Sequence, residues 1–208
     1  LFDTGGDGNI LLSNMKKMRI HPKEIDIVVL SHIHGDHTGG LWKFLEENSE
    51  VTVYIPSSFP EKFKNRIKDL GARFVEVGKP IEIFPSVYST GELGTRIKEQ
   101  ALILNIEEGL IIITGCSHPG IVAIAEKAIQ ILNEKIYLIT GGFHLGGATE
   151  VEIKDIIQDL KAIGVQKIAP SHCTGKRAIE CFKDAWDNNF IEAGCGAEIE
   201  FLLLGARQ

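Results

Sequence analysis

Little in this sequence places it outside ordinary globular proteins, and each absence removes a class of function. Four cysteines, Cys116, Cys173, Cys181 and Cys195, form no Cys-x-x-Cys pair and no dense framework. That argues against a disulfide scaffold and for a reduced, cytoplasmic setting. Basic residues are in the minority, 22 Lys and Arg against 28 Asp and Glu, for a formal charge of -6. A broad nucleic-acid footprint would need the opposite balance, although a local anion pocket would not. No apolar run is long enough to span a bilayer, and none has the form of a signal peptide. There is no internal repeat, low-complexity tract or linker, so the 208 residues are expected to form a single domain, 1–208, with a sizeable core. A content of 44% hydrophobic and 24% charged residues is ordinary for such a domain.

What is present is concentrated in Ser31-His32-Ile33-His34-Gly35-Asp36-His37-Thr38-Gly39-Gly40. The preceding Asp26-Ile27-Val28-Val29-Leu30 is β-branched and apolar, as expected of a buried strand, so the histidines stand at a strand end. Gly35, Gly39 and Gly40 are expected to let the backbone turn sharply, so that neighbouring side chains converge. Imidazole and carboxylate together suit zinc, manganese or iron, and three ligands with an open position leave room for a reactive water. Four such groups in one short loop point to a metal centre.

The same pattern recurs downstream. Strands are expected at 101–106 and 110–114, joined by a hairpin at Glu107-Glu108-Gly109, and at 136–139 and 165–169. Each of the last three is followed by a histidine, in Gly115-Cys116-Ser117-His118-Pro119-Gly120, Gly141-Gly142-Phe143-His144 and Ser171-His172-Cys173-Thr174-Gly175. Four strand ends converging on one edge form a constellation where a single one would not. Thr149 and Glu152 form a capping box for a helix to Ile163. Phe190–Glu192 and Ile199–Leu204 are expected to complete a sheet as a strand pair. Thr90-Gly91-Glu92-Leu93-Gly94 is a candidate pocket loop. His21, before Pro22, has no nearby partner and reads as a surface residue.

His32, His34, Asp36 and His37 match the His-x-His-x-Asp-His signature, and the chain resembles the metallo-β-lactamase superfamily, whose Asp-Thr-Gly element is matched by Asp3-Thr4-Gly5. The resemblance implies an α/β fold, the αββα sandwich of the metallo-β-lactamase type, with metals at one edge. The chain begins at Leu1, at the apparent end of a strand. In that superfamily a strand or two precedes this point, so they are expected upstream. Carried over position by position, the resemblance implies His32, His34 and His118 on a first metal, and Asp36, His37 and His172 on a second. Asp3 is then expected to orient a ligand or the metal loop, the alternative being a plain turn-forming aspartate. Cys116 and Cys173 flank the ligands, either as thiolates on zinc or as small buried residues beside the site.

The motifs at 115–120, 141–145 and 171–175 are narrower, and resemble the branch that includes the 7,8-dihydropterin-6-ylmethyl-4-(β-D-ribofuranosyl)aminobenzene 5′-phosphate synthases. This implies a small-molecule substrate, phosphorylated or pterin-like, and joining of a dihydropterin methyl diphosphate to an arylamine with release of pyrophosphate. It implies one or two divalent ions, zinc first, then manganese or iron, and neither a nucleic-acid nor a membrane partner. One departure matters. The carboxylate that bridges the two metals in the superfamily has no counterpart, its place falling at His144. A neutral imidazole has one lone pair and cannot bridge in that way, so His144 is expected to replace the bridge, bind one metal, or meet a substrate phosphate. In a hydrolytic version of the chemistry, Asp36 orients the attacking water and His144 stabilises the developing anion. Thr174, Lys176 and Arg177 at a helix start suggest a phosphate cradle, unless the two cations are merely solvated. A metal-binding regulatory module without turnover is the alternative reading.

Overall fold

The computed structural model describes residues 1–203. Leu204 and the residues after it lie outside the described part. Seven α-helices and nine strands are assigned among the described residues.

In the first half, helix α1 (Gly8–Lys17) precedes strand β1 (Ile27–Val29), the single turn α2 (Gly35–Thr38) and helix α3 (Leu41–Glu47). Strand β2 (Thr52–Pro56), helix α4 (Glu61–Asp69) and strand β3 (Arg73–Val77) follow. The three strands form a parallel sheet in the order β1-β2-β3. Val28, Leu30, Val53 and Ile55 on one face pack with Met15, Leu41, Phe44, Leu45 and Ile67 from the covering helices. Each such side chain withdrawn from water stabilises the fold by about 1.5–3 kcal/mol.

The second half begins with β4 (Ile81–Phe84), β5 (Val87–Ser89), β6 (Leu102–Ile106) and β7 (Gly109–Thr114). It continues with α5 (Ile121–Leu132), β8 (Ile136–Gly142), α6 (Glu150–Ile163), β9 (Lys167–Ser171) and α7 (Lys176–Trp186). The six strands lie in sequence order in one sheet, antiparallel from β4 to β7 and parallel from β7 to β9. Helix α5 buries Ile121, Ile124, Ala125 and Ala128, the i, i+3, i+4, i+7 stripe of a helix lying on a sheet. Helix α6 buries Ile153, Ile157 and Leu160, and α7 buries Ala178, Phe182 and Trp186, in the same cluster. The capping box closes as expected, Thr149 accepting from the Glu152 amide and Glu152 accepting from the Thr149 amide.

Gln100 joins the halves. Its backbone N–H donates to the Ser31 carbonyl and its side-chain amide to the carbonyls of Leu30 and Tyr54, so the start of β6 is pinned to the ends of β1 and β2. Two helix-covered sheets so joined make the αββα arrangement. Beside β1, Phe2 adds a single parallel bridge to Val29, which places Asp3 next to the metal-type loop.

Some sequence expectations are corrected. Leu204 lies outside the described residues, and among the described ones Phe190–Glu192 and 199–203 do not pair as strands: Phe190 bridges Ile168 and Leu203 bridges Ile106, each as an isolated contact. The strand expected at 136–139 runs on to Gly142, because two glycines at a strand end disguise its continuation. Gly39 and Gly40 are not turning points, since both have right-handed helical backbone. A Cβ on Gly39 would lie 2.4 Å from the Gly6 carbonyl oxygen, and one on Gly40 2.1 Å from that of Thr4. These glycines permit close approach of the Asp3-bearing segment, which the Thr4 N–H and hydroxyl complete by donating to the His37 carbonyl.

Candidate metal centre

The carboxyl ends of β1, β7, β8 and β9 meet at one edge, the usual place for a site in sheets with parallel strands. His32 and His34 follow β1. The single turn α2 then turns Asp36 and His37 toward His172, which follows β9. Ligand-type atoms of His32, His34 and His118 lie within 4.8 Å of one another, and so do those of Asp36, His37 and His172. All six residues expected to hold metal thus lie in two groups of three at this edge.

The triads are held from behind. Asp3 accepts hydrogen bonds from the Ser31 N–H, the Ser31 hydroxyl and His37 Nδ1, each at 2.7 Å. His37 Nε2 is thereby directed into the site, 3.2 Å from His172 Nε2. The Ser31 Oγ also contacts His32 Nδ1 at 2.9 Å, leaving His32 Nε2 to face His34 Nδ1 at 3.1 Å. A partner on one imidazole nitrogen sets the tautomer and aims the other at a metal. One carboxylate therefore supports both triads.

Sequence reading missed Glu99. It is buried, and its carboxylate accepts from the backbone N–H groups of Cys116, Ser117 and His118 at 2.8–2.9 Å. This fixes the loop that carries His118. No spacing rule announces such a residue, because it reaches the loop only once β6 and β7 are paired.

Electrostatics agree with this geometry. Burial holds His32 far below an ordinary histidine, at about 2, with the neighbouring imidazoles of His37, His118, His34 and His172 adding to the shift. His118 is lowered to about 4, by burial first and then by His144 and His34. Both are neutral at physiological pH, the form that binds metal. For His37, burial opposes the charge, but the hydrogen bond and charge of Asp3 outweigh it and raise the value. Burial raises Glu99 against the pull of its three backbone donors. The His118 Nε2 is buried with no hydrogen-bond partner. An orphaned imidazole nitrogen facing two others is costly unless a cation fills the space between them. The residues fit a divalent ion.

Backbone strain is concentrated here as well. Asp3, Ser117, His144 and His172 all have positive φ, between 51° and 59°. Such conformations in non-glycine residues cost about 1–3 kcal/mol each and gather at functional sites.

The remaining expected site residues are placed as follows. His144 is exposed, its ring 4.4 Å from that of His118, and belongs to neither triad. Cys116 lies among the candidate ligands instead of behind them, its Sγ 3.2 Å from His37 Nε2. Hydrogen bonds with the Cys116 thiol and with His144 hold the Cys173 pKa well below that of an ordinary thiol, while the bond to Cys173 and burial push the Cys116 pKa up. Thr174 is corrected: it is fully buried, and its hydroxyl donates to the Ser171 carbonyl and accepts from the Phe143 N–H. It braces the loop before His144 and faces no substrate. Lys176 and Arg177 are exposed at the start of α7. Thr90 and Gly91 are buried, so the pocket wall lies just beyond the expected loop. A cleft of about 440 Å³ is lined by Thr95, Arg96 and Ile97 together with His118 and His144. His21 is exposed and caps a short 3₁₀ turn by accepting from the Lys23 N–H.

Residues 1–124 match the family model of the metallo-beta-lactamase superfamily. The chain belongs to that superfamily. Among its relatives is the 7,8-dihydropterin-6-methyl-4-(beta-D-ribofuranosyl)-aminobenzene-5'-phosphate synthase of Methanocaldococcus jannaschii, 35% identical, with 97% of this chain and 84% of the relative aligned. A solved metal-dependent hydrolase of the beta-lactamase superfamily superposes with a TM-score of 0.78 at 29% identity, covering 96% of this chain and 87% of that one. The short form of human tRNase Z shares the fold at a TM-score of 0.65 and 16% identity, covering 97% and 88%.

Proposed function

We propose that the protein is a metal-dependent enzyme whose substrate is a phosphorylated or pterin-like small molecule, with zinc, manganese or iron bound by the two triads. The observation that carries this reading is the pair of three-residue clusters at one sheet edge, with the orphaned His118 Nε2 in the buried one. His32, His34 and His118 would hold one ion, and Asp36, His37 and His172 a second. A divalent ion there supplies Lewis acidity toward a phosphoryl or diphosphate oxygen, and a bound water that ionises near neutral pH.

The chain's own residues supply the rest. Asp36 is the exposed member, its Oδ2 3.3 Å from His172 Nε2 and 3.4 Å from His37 Nε2, and it is placed to orient a water or accept its proton. The cleft beside His118 has room for a heterocycle, and Arg96 on its wall offers a fork of donors to phosphate. The similarity to the dihydropterin synthase supports a transfer reaction in which an arylamine displaces pyrophosphate. A small-molecule partner and a cytoplasmic setting fit the acidic chain and its four free cysteines, and no helix among the described residues is long and apolar enough to cross a membrane.

A second reading, a regulatory module without turnover, is favoured by one feature: the absence of a carboxylate at the Gly142-Phe143-His144 strand end, where the superfamily's metal bridge would stand. Metal analysis after purification without chelators, with assays on bis(p-nitrophenyl) phosphate and on a dihydropterin diphosphate with an arylamine, separates the two. Enzyme function predicts stoichiometric metal and turnover of at least one substrate, with His34→Ala losing one ion and about 100-fold or more in rate. Metal without turnover on either substrate supports the module.

A further inference from the structure

Cys116, Cys173 and His144 belong to three different strand ends, after β7, β9 and β8, yet their two Sγ atoms and one imidazole nitrogen all lie within 4.8 Å of one another. In a tetrahedral zinc site with Zn–S of about 2.3 Å and Zn–N of about 2.0–2.1 Å, ligand atoms sit about 3.3–3.8 Å apart. The three donors therefore need only a small closing movement. We infer that Cys116, Cys173 and His144 form a third metal position, suited to zinc or another thiophilic divalent ion, adjoining the two histidine triads.

Three further observations support this placement. The backbone leaves space for the sulfur: a Cβ on Gly142 would lie 2.8 Å from Cys173 Sγ and 2.5 Å from the Gly115 carbonyl oxygen, so the end of β8 accepts no side chain there. His144 is held at a φ of 53°, a conformation that costs energy in a non-glycine residue and here brings its imidazole to the two sulfurs. Cys116 also faces the first half of the molecule, its Sγ grouped with ring nitrogens of His32 and His37 that all lie within 4.8 Å of one another. A thiolate at Cys116 would thus stand between the third position and the triads, in a centre that lacks the bridging carboxylate. Two sulfurs and one nitrogen favour zinc over the harder manganese, while leaving a fourth coordination position for water or substrate. Binding would release the protons of whichever donors are protonated. The third position does not depend on which reaction the triads carry out.

Cobalt(II) added to the reduced metal-free protein tests this through absorption alone. Wild type should show a sulfur-to-cobalt charge-transfer band in the near ultraviolet, absent in Cys173→Ser and Cys116→Ser and retained in Cys181→Ser. His144→Ala should keep the band at an affinity reduced by about tenfold or more. His34→Ala should keep the band while the number of bound cobalt ions falls, so that a failed histidine site and a failed sulfur site give different signatures. Cobalt binding without the band, no cobalt binding, or a band lost in His34→Ala would each overturn the third position. Should a cysteine variant not fold, alkylation of wild type decides. Zinc should protect the half-buried Cys173 while the exposed Cys195 stays reactive, and equal labelling of Cys173 with and without zinc would refute the assignment.

Discussion

The two triads, one of three imidazoles and one of two imidazoles and a carboxylate, have opposite surroundings. His32, His34 and His118 are buried or half-buried, whereas Asp36 and His172 open to solvent with side-chain exposures of 57% and 42%. In the open triad the groups satisfy one another, Asp36 Oδ2 reaching both His37 and His172. The enclosed triad leaves His118 Nε2 without a partner. An ion entering the enclosed triad relieves a standing desolvation cost, while one entering the open triad must displace existing contacts and water. Filling is therefore expected in that order, the open triad being the exchangeable one.

The contrast can be broken at the residue the triads share. Asp3→Ala removes the acceptor of His37 Nδ1 and of both Ser31 donors, and Ser31 in turn holds His32. Metal affinity should fall by about 10–100-fold at both triads, as measured by competition with a chromophoric chelator. Loss confined to one triad would show that Asp3 does not couple them.

Glu99→Gln should act on the enclosed triad alone. The amide keeps one acceptor oxygen but loses the charge that receives three N–H groups, so an expected loss of about 1–3 kcal/mol should appear in denaturant unfolding. Occupancy of the first ion should fall while the second is spared.

A smaller effect follows from protonation of the metal-free protein. His32 and His118 remain neutral in the folded state down to about 2 and about 4, against an ordinary 6.5. The unfolded chain then binds more protons than the folded one as pH falls through 6.5, and stability drops. His37, whose value is raised, contributes oppositely: its stabilisation is full below 6.5 and is lost as pH rises through the folded value. Two groups outweigh one, so the metal-free protein should melt at a lower temperature near pH ~5 than near pH ~7. Unchanged melting would mean that the enclosed triad is more hydrated than its burial indicates.

The smallest change is expected from Lys176→Ala combined with Arg177→Ala. Both side chains are exposed, so substrate KM should rise by no more than about threefold. A larger rise would restore the phosphate cradle that the buried Thr174 hydroxyl argues against.

Much of this protein was legible before folding was considered. The Thr149 and Glu152 capping box located the helix that runs to Ile163, because a reciprocal cap ahead of an apolar stripe admits few other arrangements. Boundaries moved by two or three residues where a strand runs on through glycine or proline, as β8 does to Gly142 and β9 through Pro170 to Ser171. The metal-type residues were visible because imidazole and carboxylate groups at strand ends are chemically conspicuous. Glu99 and Gln100 were invisible for the opposite reason, since a single Glu or Gln in a loop carries no local signal.

The sequence by itself determined the donor types, their attachment to strand ends and the family, because these are properties of local composition and order. Tertiary structure alone decided which donors meet. The pairing of β7, β8 and β9 brings Cys116, His144 and Cys173 together, although Cys116 and Cys173 are 57 residues apart in the chain. Contact between the Thr4–Gly6 segment and Gly39–Gly40 sets Asp3 behind His37. Such proximities are created when strands pair and surfaces close, and no spacing along the chain encodes them.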